Sequence, residues 1–286
     1  MKSQNDVAHQ MERIVNIFQH AQQIASVEED ITLLIEQLEN TDLEFRSIAY
    51  EGASTGFALK DLSQGATLRH WRPFMEGPGA DHATQVHVGL GWALAQQRLP
   101  ASSFTKTLHP LLAFRVLDGC GYYDGIFRSR QTINNQNRSV EIQEKYFHSY
   151  DLGVGRSLWY RCQGEYAKIP AIVATFSPER HPDLWLGIGI ACSYVGGFEE
   201  ITLKELASSA ANHRLQLAKG AALAARTRIQ AKSLTQFAEM ACRVWCNCSA
   251  TEAMLLTVKT EPSFTLNQED AFETWLSQME LALHLW

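Results

Sequence analysis

Several chemistries leave short signatures in a sequence, and the common ones are missing from these 286 residues. No G-x-G-x-x-G follows a strand, and neither a Walker lysine pattern nor a G-x-S-x-G elbow occurs, so nucleotide binding and serine hydrolysis have no motif to rest on. No apolar run approaches the roughly 20 residues that span a bilayer. The first fourteen residues include Gln4, Asn5, Asp6, His9, Gln10 and Glu12, which leaves no apolar stretch for a secretory signal, and a cytoplasmic location is expected. An excess of basic residues is absent too. The 25 Lys and Arg against 31 Asp and Glu give a net charge of −6, which argues against nucleic acid as a partner. The six cysteines, with no export signal, read as buried reduced thiols. Their tightest cluster, Cys242, Cys246 and Cys248, is spaced C-x3-C-x-C and not as the C-x2-C knuckles of structural zinc sites.

What the sequence does contain is helix signal throughout. Ser26 to Glu29, Thr41 to Glu44 and Ser249 to Glu252 have the spacing of a capping box, in which hydroxyl and carboxylate each satisfy a backbone donor at a helix start. Near the C-terminus Phe272, Trp275, Leu276, Met279 and Leu283 recur with helical period and predict an amphipathic helix. A second pattern is a small-residue element flanked by aromatics. It appears at 50–59 (YEGASTGFAL), 86–95 (VHVGLGWALA), 118–127 (DGCGYYDGIF), 151–160 (DLGVGRSLWY), 183–194 (DLWLGIGIACSY) and 218–227 (AKGAALAART). Its marker glycines Gly52, Gly89, Gly119, Gly153, Gly187 and Gly220 are separated by 37, 30, 34, 34 and 33 residues. That is the period of a helix-turn-helix repeat.

The expected fold is therefore all-α: a helix-pair repeat array of about 34-residue period, a tetratricopeptide-like α-solenoid. Second helices are expected at Tyr166 to Phe176 and Leu203 to Leu215. Residues 1–40 read as a capping helical hairpin, 41–260 as the repeat domain, and 261–286 as the C-terminal helix packing on the array. Glu76 to Ala80 reads as a turn and Arg130 to Glu141 as a polar loop. Glycine costs a helix interior about 1 kcal/mol relative to alanine, so its recurrence at one position predicts close approach of another backbone.

These elements resemble a bacterial family known as domain of unknown function 1702, whose members include proteins encoded in enediyne polyketide clusters. The likeness runs from about Phe45 to Ala253. It rests on A-Y-E-G at 49–52, G-P-G-A at 77–80, H-V-G-x-G-W-A-L at 87–94 and D-G-x-G at 118–121. It continues through G-x-G-R-S-L-W at 153–159, D-L-W-x-G-x-G at 183–189 and Y-x-G-G at 194–197. The resemblance implies a place in specialised metabolism, handling a polyene or other acyl-type product of a polyketide synthase. It carries over no catalytic residues.

A polar residue stands just before the marker glycine in several copies: Glu51, His87, Asp118, Asp151 and Lys219. Facing a common groove between apolar walls, such groups would have the perturbed pKa values that acid and base chemistry uses. Helix capping and internal polar contacts are the alternative. Arg156, with Arg128 and Arg130, can either fork onto a carboxylate or phosphate or pair internally. Trp92, Tyr122, Tyr123, Trp159 and Trp185, with Phe127 and Tyr194, either wall an apolar pocket or pack repeats together. No metal site is expected, since His82 and His87 are five apart and neighbouring helix axes lie about 8 to 10 Å apart.

Two functions fit. One is a biosynthetic enzyme that encloses an apolar substrate with His87, Glu51, Asp118 and Asp151 as acid, base or orienting groups and Arg156, Trp92, Tyr122, Tyr123, Trp159 and Trp185 as contacts. The other is a non-catalytic scaffold gripping a partner such as a polyketide synthase component. The first requires a closed aromatic cavity, the second an open groove with solvated polar flanks. No cofactor is specified.

Overall fold

The structure is a computed structural model describing residues 4–28, 30–65, 67–163, 165–263 and 270–283, with the side chains of 4–8 left aside. It is helical, and no strand occurs among the described residues. The long helices are α1 (Gln4–Val27), α3 (Leu43–Ser63), α5 (Ala83–Gln97), α7 (Pro110–Phe127), α8 (Phe147–Arg161), α10 (His181–Val195) and α12 (Arg214–Gln230). Shorter helices connect or cover them: α2 (Ile31–Glu39), α4 (Trp71–Glu76), α6 (Ser102–Thr105), α9 (Ile169–Val173), α11 (Glu200–Ala210), α13 (Gln236–Trp245), α14 (Ala250–Lys259) and α15 (Ala271–Leu283).

The seven long helices stand side by side in chain order, each packed on the next. Small residues make this possible. Successive G-x-G positions are about 200° apart on a helix, so the two glycines address opposite neighbours. A Cβ on Gly119 would overlap the carbonyl of Val88 in α5, and one on Gly121 the carbonyl of Tyr150 in α8. Gly153 and Gly155 divide in the same way between Asp118 of α7 and Leu184 of α10, and Gly187 and Gly189 between Leu152 of α8 and Leu217 of α12. Contact pairs advance together along both chains, Gly52 with Phe18 and Gly56 with Gln22, so α1 and α3 run in the same direction. Because neighbours flank both sides, these helices are buried nearly all round. Every residue is buried from Gln85 to Ala95 in α5, from Ser149 to Trp159 in α8 and from Leu184 to Val195 in α10. Amphipathic periodicity is accordingly weak here, and small-residue spacing replaces it as the readable pattern.

The row curls until its ends meet. Gln10 of α1 donates to the Val195 carbonyl at the end of α10 (2.6 Å). Arg228 of α12, itself fully buried, donates to the carbonyls of Glu44 in α3 (2.5 Å) and Tyr194 in α10 (2.6 Å). A curled row has an inside, and that inside holds the candidate site.

Several local expectations are corrected. Ser26 lies in the last turn of α1, where its hydroxyl donates to Gln22 O, so it caps nothing; Glu29 falls outside the described residues. At α3 the N-cap is Asp42 and not Thr41, and its carboxylate accepts from Arg13 instead of capping a backbone N–H of the helix. Only Ser249 with Glu252 forms the capping box. The stretch expected as a helix from Tyr166 to Phe176 is a 3-10 turn, Tyr166–Lys168, followed by the single turn of α9, because Pro170 falls at its start. The expected helix Leu203 to Leu215 begins earlier and stops at Ala210. The polar loop opens with a π turn, Arg130–Asn134. Segment 1–40 does more than close an end, since α1 is a full member of the row. At the other end α15 docks through Phe272, stacked on Phe114 at 3.7 Å, and Trp275, whose indole donates to Thr257 O at 2.9 Å.

Candidate active site

On the inside of the curl lies a pocket of about 330 Å³ bounded by six helices and open to solvent beside the exposed Val15 and Phe127. Its walls are Ile14, Phe18 and Gln22 from α1, Ile48 from α3, Trp92 from α5, Tyr122, Tyr123 and Phe127 from α7, Tyr160 from α8 and Tyr194 from α10. The rings form one continuous cluster: Trp92 lies 4.7 Å from Phe18 and meets Tyr122, Tyr123 and Phe127 edge-on at 5.1 to 5.7 Å. Two charged side chains interrupt this lining, Glu51 and Arg156.

Glu51 is 6% exposed, and among the described residues nothing hydrogen-bonds its carboxyl. Burial raises its pKa to about 7; Arg156 opposes the shift and Asp118 adds to it. Behind the cavity wall Asp118, fully buried, accepts from Arg156 Nη1 at 2.9 Å and from Arg115 Nη1 at 3.3 Å, both on Oδ2. Its Oδ1 has no partner among the described residues. Burial disfavours charge on Arg156, but Asp118 and Glu51 hold it protonated, and its guanidinium lies 4.4 Å over the Tyr122 ring. Burial lifts the Tyr122 hydroxyl well above its ordinary range and that of Tyr160 to about 12, so both are neutral donors at physiological pH. The indole N–H of Trp92 is buried without a partner among the described residues. A carboxyl that exchanges its proton near neutrality, held among aromatic faces and neutral donors, can protonate or deprotonate an apolar molecule.

Of the sequence candidates, Glu51, Arg156, Trp92, Tyr122, Tyr123, Phe127 and Tyr194 meet in this cavity, and Asp118 stands one layer behind. His87, Asp151, Trp159, Trp185, Arg128 and Lys219 do not join them. His87 packs edge-on against Trp71 at 5.3 Å and bonds Ala83 O through Nδ1 at 2.7 Å; burial brings its pKa down to about 4. Asp151 is chelated by Arg180 and Arg138, where four guanidinium contacts satisfy both of its oxygens. Trp159 packs against Phe198 at 4.2 Å, and Trp185 is buried outside the cavity lining. Arg128 pairs internally, with Asp124 at 2.5 Å. Lys219 bonds Glu280 of α15 at 2.8 Å. Sequence reasoning did not single out Phe18, Gln22 and Tyr160. Tyr160 was signalled by its position four residues after Arg156, one helical turn along the same face, whereas α1 carries no glycine element that would have tied it to the cavity. Among the described residues no three His, Cys, Asp or Glu side chains group as a metal site.

Residues 1–283 match the family described as "Protein of unknown function (DUF1702)". The chain belongs to that family. No curated protein and no solved structure matches it. This DUF1702 protein therefore takes its functional reading from its own geometry. No helix is long and apolar enough to cross a membrane among the described residues.

Proposed function

We propose that this protein is a cytosolic enzyme of specialised metabolism that encloses an apolar polyene or acyl-type molecule in the aromatic cavity and moves a proton to or from it through Glu51. The observation that carries the reading is a buried, unpaired carboxyl titrating near 7 at the wall of an aromatic pocket. Such a group is both acid and base at physiological pH, and surrounding ring faces stabilise positive charge developing on an unsaturated chain. Arg156, fixed by Asp118, sets the proton affinity of Glu51 and keeps it from rising further. Tyr122, Tyr160 and the Trp92 N–H offer donors to an oxygen on the enclosed molecule. The polyketide origin of that molecule comes from the family resemblance. The same proposal takes the glycine helices with their connectors as units of a helix-pair repeat of the tetratricopeptide kind, for which the regular glycine contacts speak.

Native mass spectrometry of protein purified from its own host is the first test, and a co-purifying apolar metabolite is expected. That metabolite, incubated with the protein in D2O, should take up deuterium or rearrange, and Glu51→Gln should retain binding while losing the exchange. Undiminished exchange in a folded Glu51→Gln protein would refute the assignment. The scaffold alternative is less well supported, because the polar residues beside the glycines are buried: Glu51 at 6%, His87 at 1%, Asp118 and Asp151 at 0% and Lys219 at 3% exposure.

A further inference from the structure

A second cavity, of about 450 Å³, lies on the other side of Asp118, between the first turns of α5 and α7 and the flank of α12 beneath α15. Its lining differs from that of the first in chemistry. Arg115 is 4% exposed, and its only hydrogen bond is the long one from Nη1 to Asp118, so Nε and Nη2 have no partner among the described residues. Arg226 also lines the cavity. It is held by Glu261 at 2.6 Å through Nη2, and its Nη1 is buried without a partner among the described residues. The other carboxylate on this wall, Asp81, faces the exposed Lys232 at 3.0 Å.

The local charge is unbalanced. Asp118 is the one carboxylate hydrogen-bonded to both Arg115 and Arg156, and both cations direct their bonds to the same oxygen. Glu51, the next acid, lies on the first cavity and is only partly ionised near neutrality, so it does not supply a full second negative charge. A guanidinium edge with no protein partner, held back from bulk water, is costly unless water or an anion meets it.

We propose that this second cavity is a binding site for a small anion, a carboxylate or phosphate group, held between Arg115 and Arg226. The planar donor edge of Arg115 suits two oxygens of one such group, and Arg226 Nη1 supplies a third bond. Leu111, Leu112 and Trp275 offer an apolar wall for whatever carries the group. The site is separate from the Glu51 cavity and does not depend on what that cavity holds.

The test is calorimetric titration of the full chain, at constant ionic strength, with sodium phosphate and separately with sodium hexanoate, against sodium chloride as the reference. Saturable binding of phosphate identifies a phosphoryl ligand, and saturable binding of hexanoate an acyl carboxylate; either supports the site. Arg226→Gln should then weaken binding about tenfold or more, the loss of one charge-assisted hydrogen bond. Arg115→Lys keeps the charge and removes the fork, and should weaken it at least as much. Arg226 is the more exposed of the two, so its variant decides the matter if Arg115→Lys does not fold. Arg243→Gln, on the exposed face of α13, serves as the control and should bind as the unaltered protein does. Failure of both anions to saturate beyond chloride, or binding unaffected by Arg226→Gln, overturns the proposal. No Glu51 variant enters the experiment, so its failure leaves the reading of the first cavity standing.

Discussion

Asp118 and Asp151 occupy neighbouring helices, are both fully buried, and both precede a G-x-G element, yet they live in opposite environments. Asp118 stands one residue before Gly119; Asp151 stands two before Gly153. One residue along a helix is a rotation of about 100°. That rotation turns Asp118, like Glu51 before Gly52, toward the inside of the curl. It turns Asp151, like His87 before Gly89, toward the connectors on the outside. The outer aspartate is saturated by two arginines that lace the 130–141 segment and the start of α10 onto α8, with Arg180 also donating to Gln136 O at 2.7 Å. The inner one keeps an oxygen free and shares the other between two cations. A fully paired buried ion cluster is architecture; a partly paired one beside a cavity is where chemistry or binding is to be sought.

The largest effect that would sharpen this contrast is expected at Asp151→Asn. Removing that charge leaves Arg180 buried without its counter-ion, a loss of about 3 to 5 kcal/mol, seen as a lower midpoint in urea denaturation. An effect below 1 kcal/mol would break the distinction between the two aspartates. At Glu51 the sign reverses. Its folded pKa of about 7 exceeds the unfolded value of 4.5, so the folded state binds more protons between those pH values and stability falls as pH rises through that window. Glu51→Gln should therefore be more stable than the unaltered protein at pH 8, by up to about 3 kcal/mol, and should flatten that part of the profile.

His87 works in the opposite direction. Its folded pKa of about 4 lies below the unfolded 6.5, so stability is complete above pH 6.5 and is lost as pH falls toward 4, by a similar amount of about 3 kcal/mol. Replacing His87 by Gln should remove its share of the acid sensitivity, read from thermal melts at pH 4.5 and 7, and leave that of His82, which burial also brings down to about 4. Asp118→Asn bears on the inner cluster alone. With one acid removed and Arg156 released toward Glu51, the Glu51 midpoint should move down from about 7 toward the ordinary carboxylate range, followed by NMR of its side-chain carbonyl. An unchanged midpoint would mean that the inner aspartate is as purely structural as the outer one. The smallest expected change is Ser249→Ala, about 1 kcal/mol for loss of the one complete capping box.

Much of the helical class was legible, because caps and small-residue spacing are local. The glycine elements mark the helices of the row from α3 to α12, and the close backbone approach they predict is present at Gly121, Gly153 and Gly187. What misled was treating residues one and two before the glycine as a single position, since Glu51 and His87 look alike on paper and face opposite ways. The S/T-x-x-E pattern misled at Ser26 for a related reason. A hydroxyl and a carboxylate three apart cap a helix only where the chain is entering one, and Ser26 stands where α1 is ending.

Composition, helical character and close helix contact were decided by the sequence alone, because each depends on residues within a turn or two of one another. The cavity was not. It exists because α1 returns to α10 and α12 to α3, contacts between residues about 184 positions apart such as Gln10 with Val195 and Arg228 with Glu44. Only that closure gives the row an inside, withdraws water from Glu51 and thereby places its proton affinity near neutrality. Desolvation is a property of everything that surrounds a group, and no local pattern encodes it.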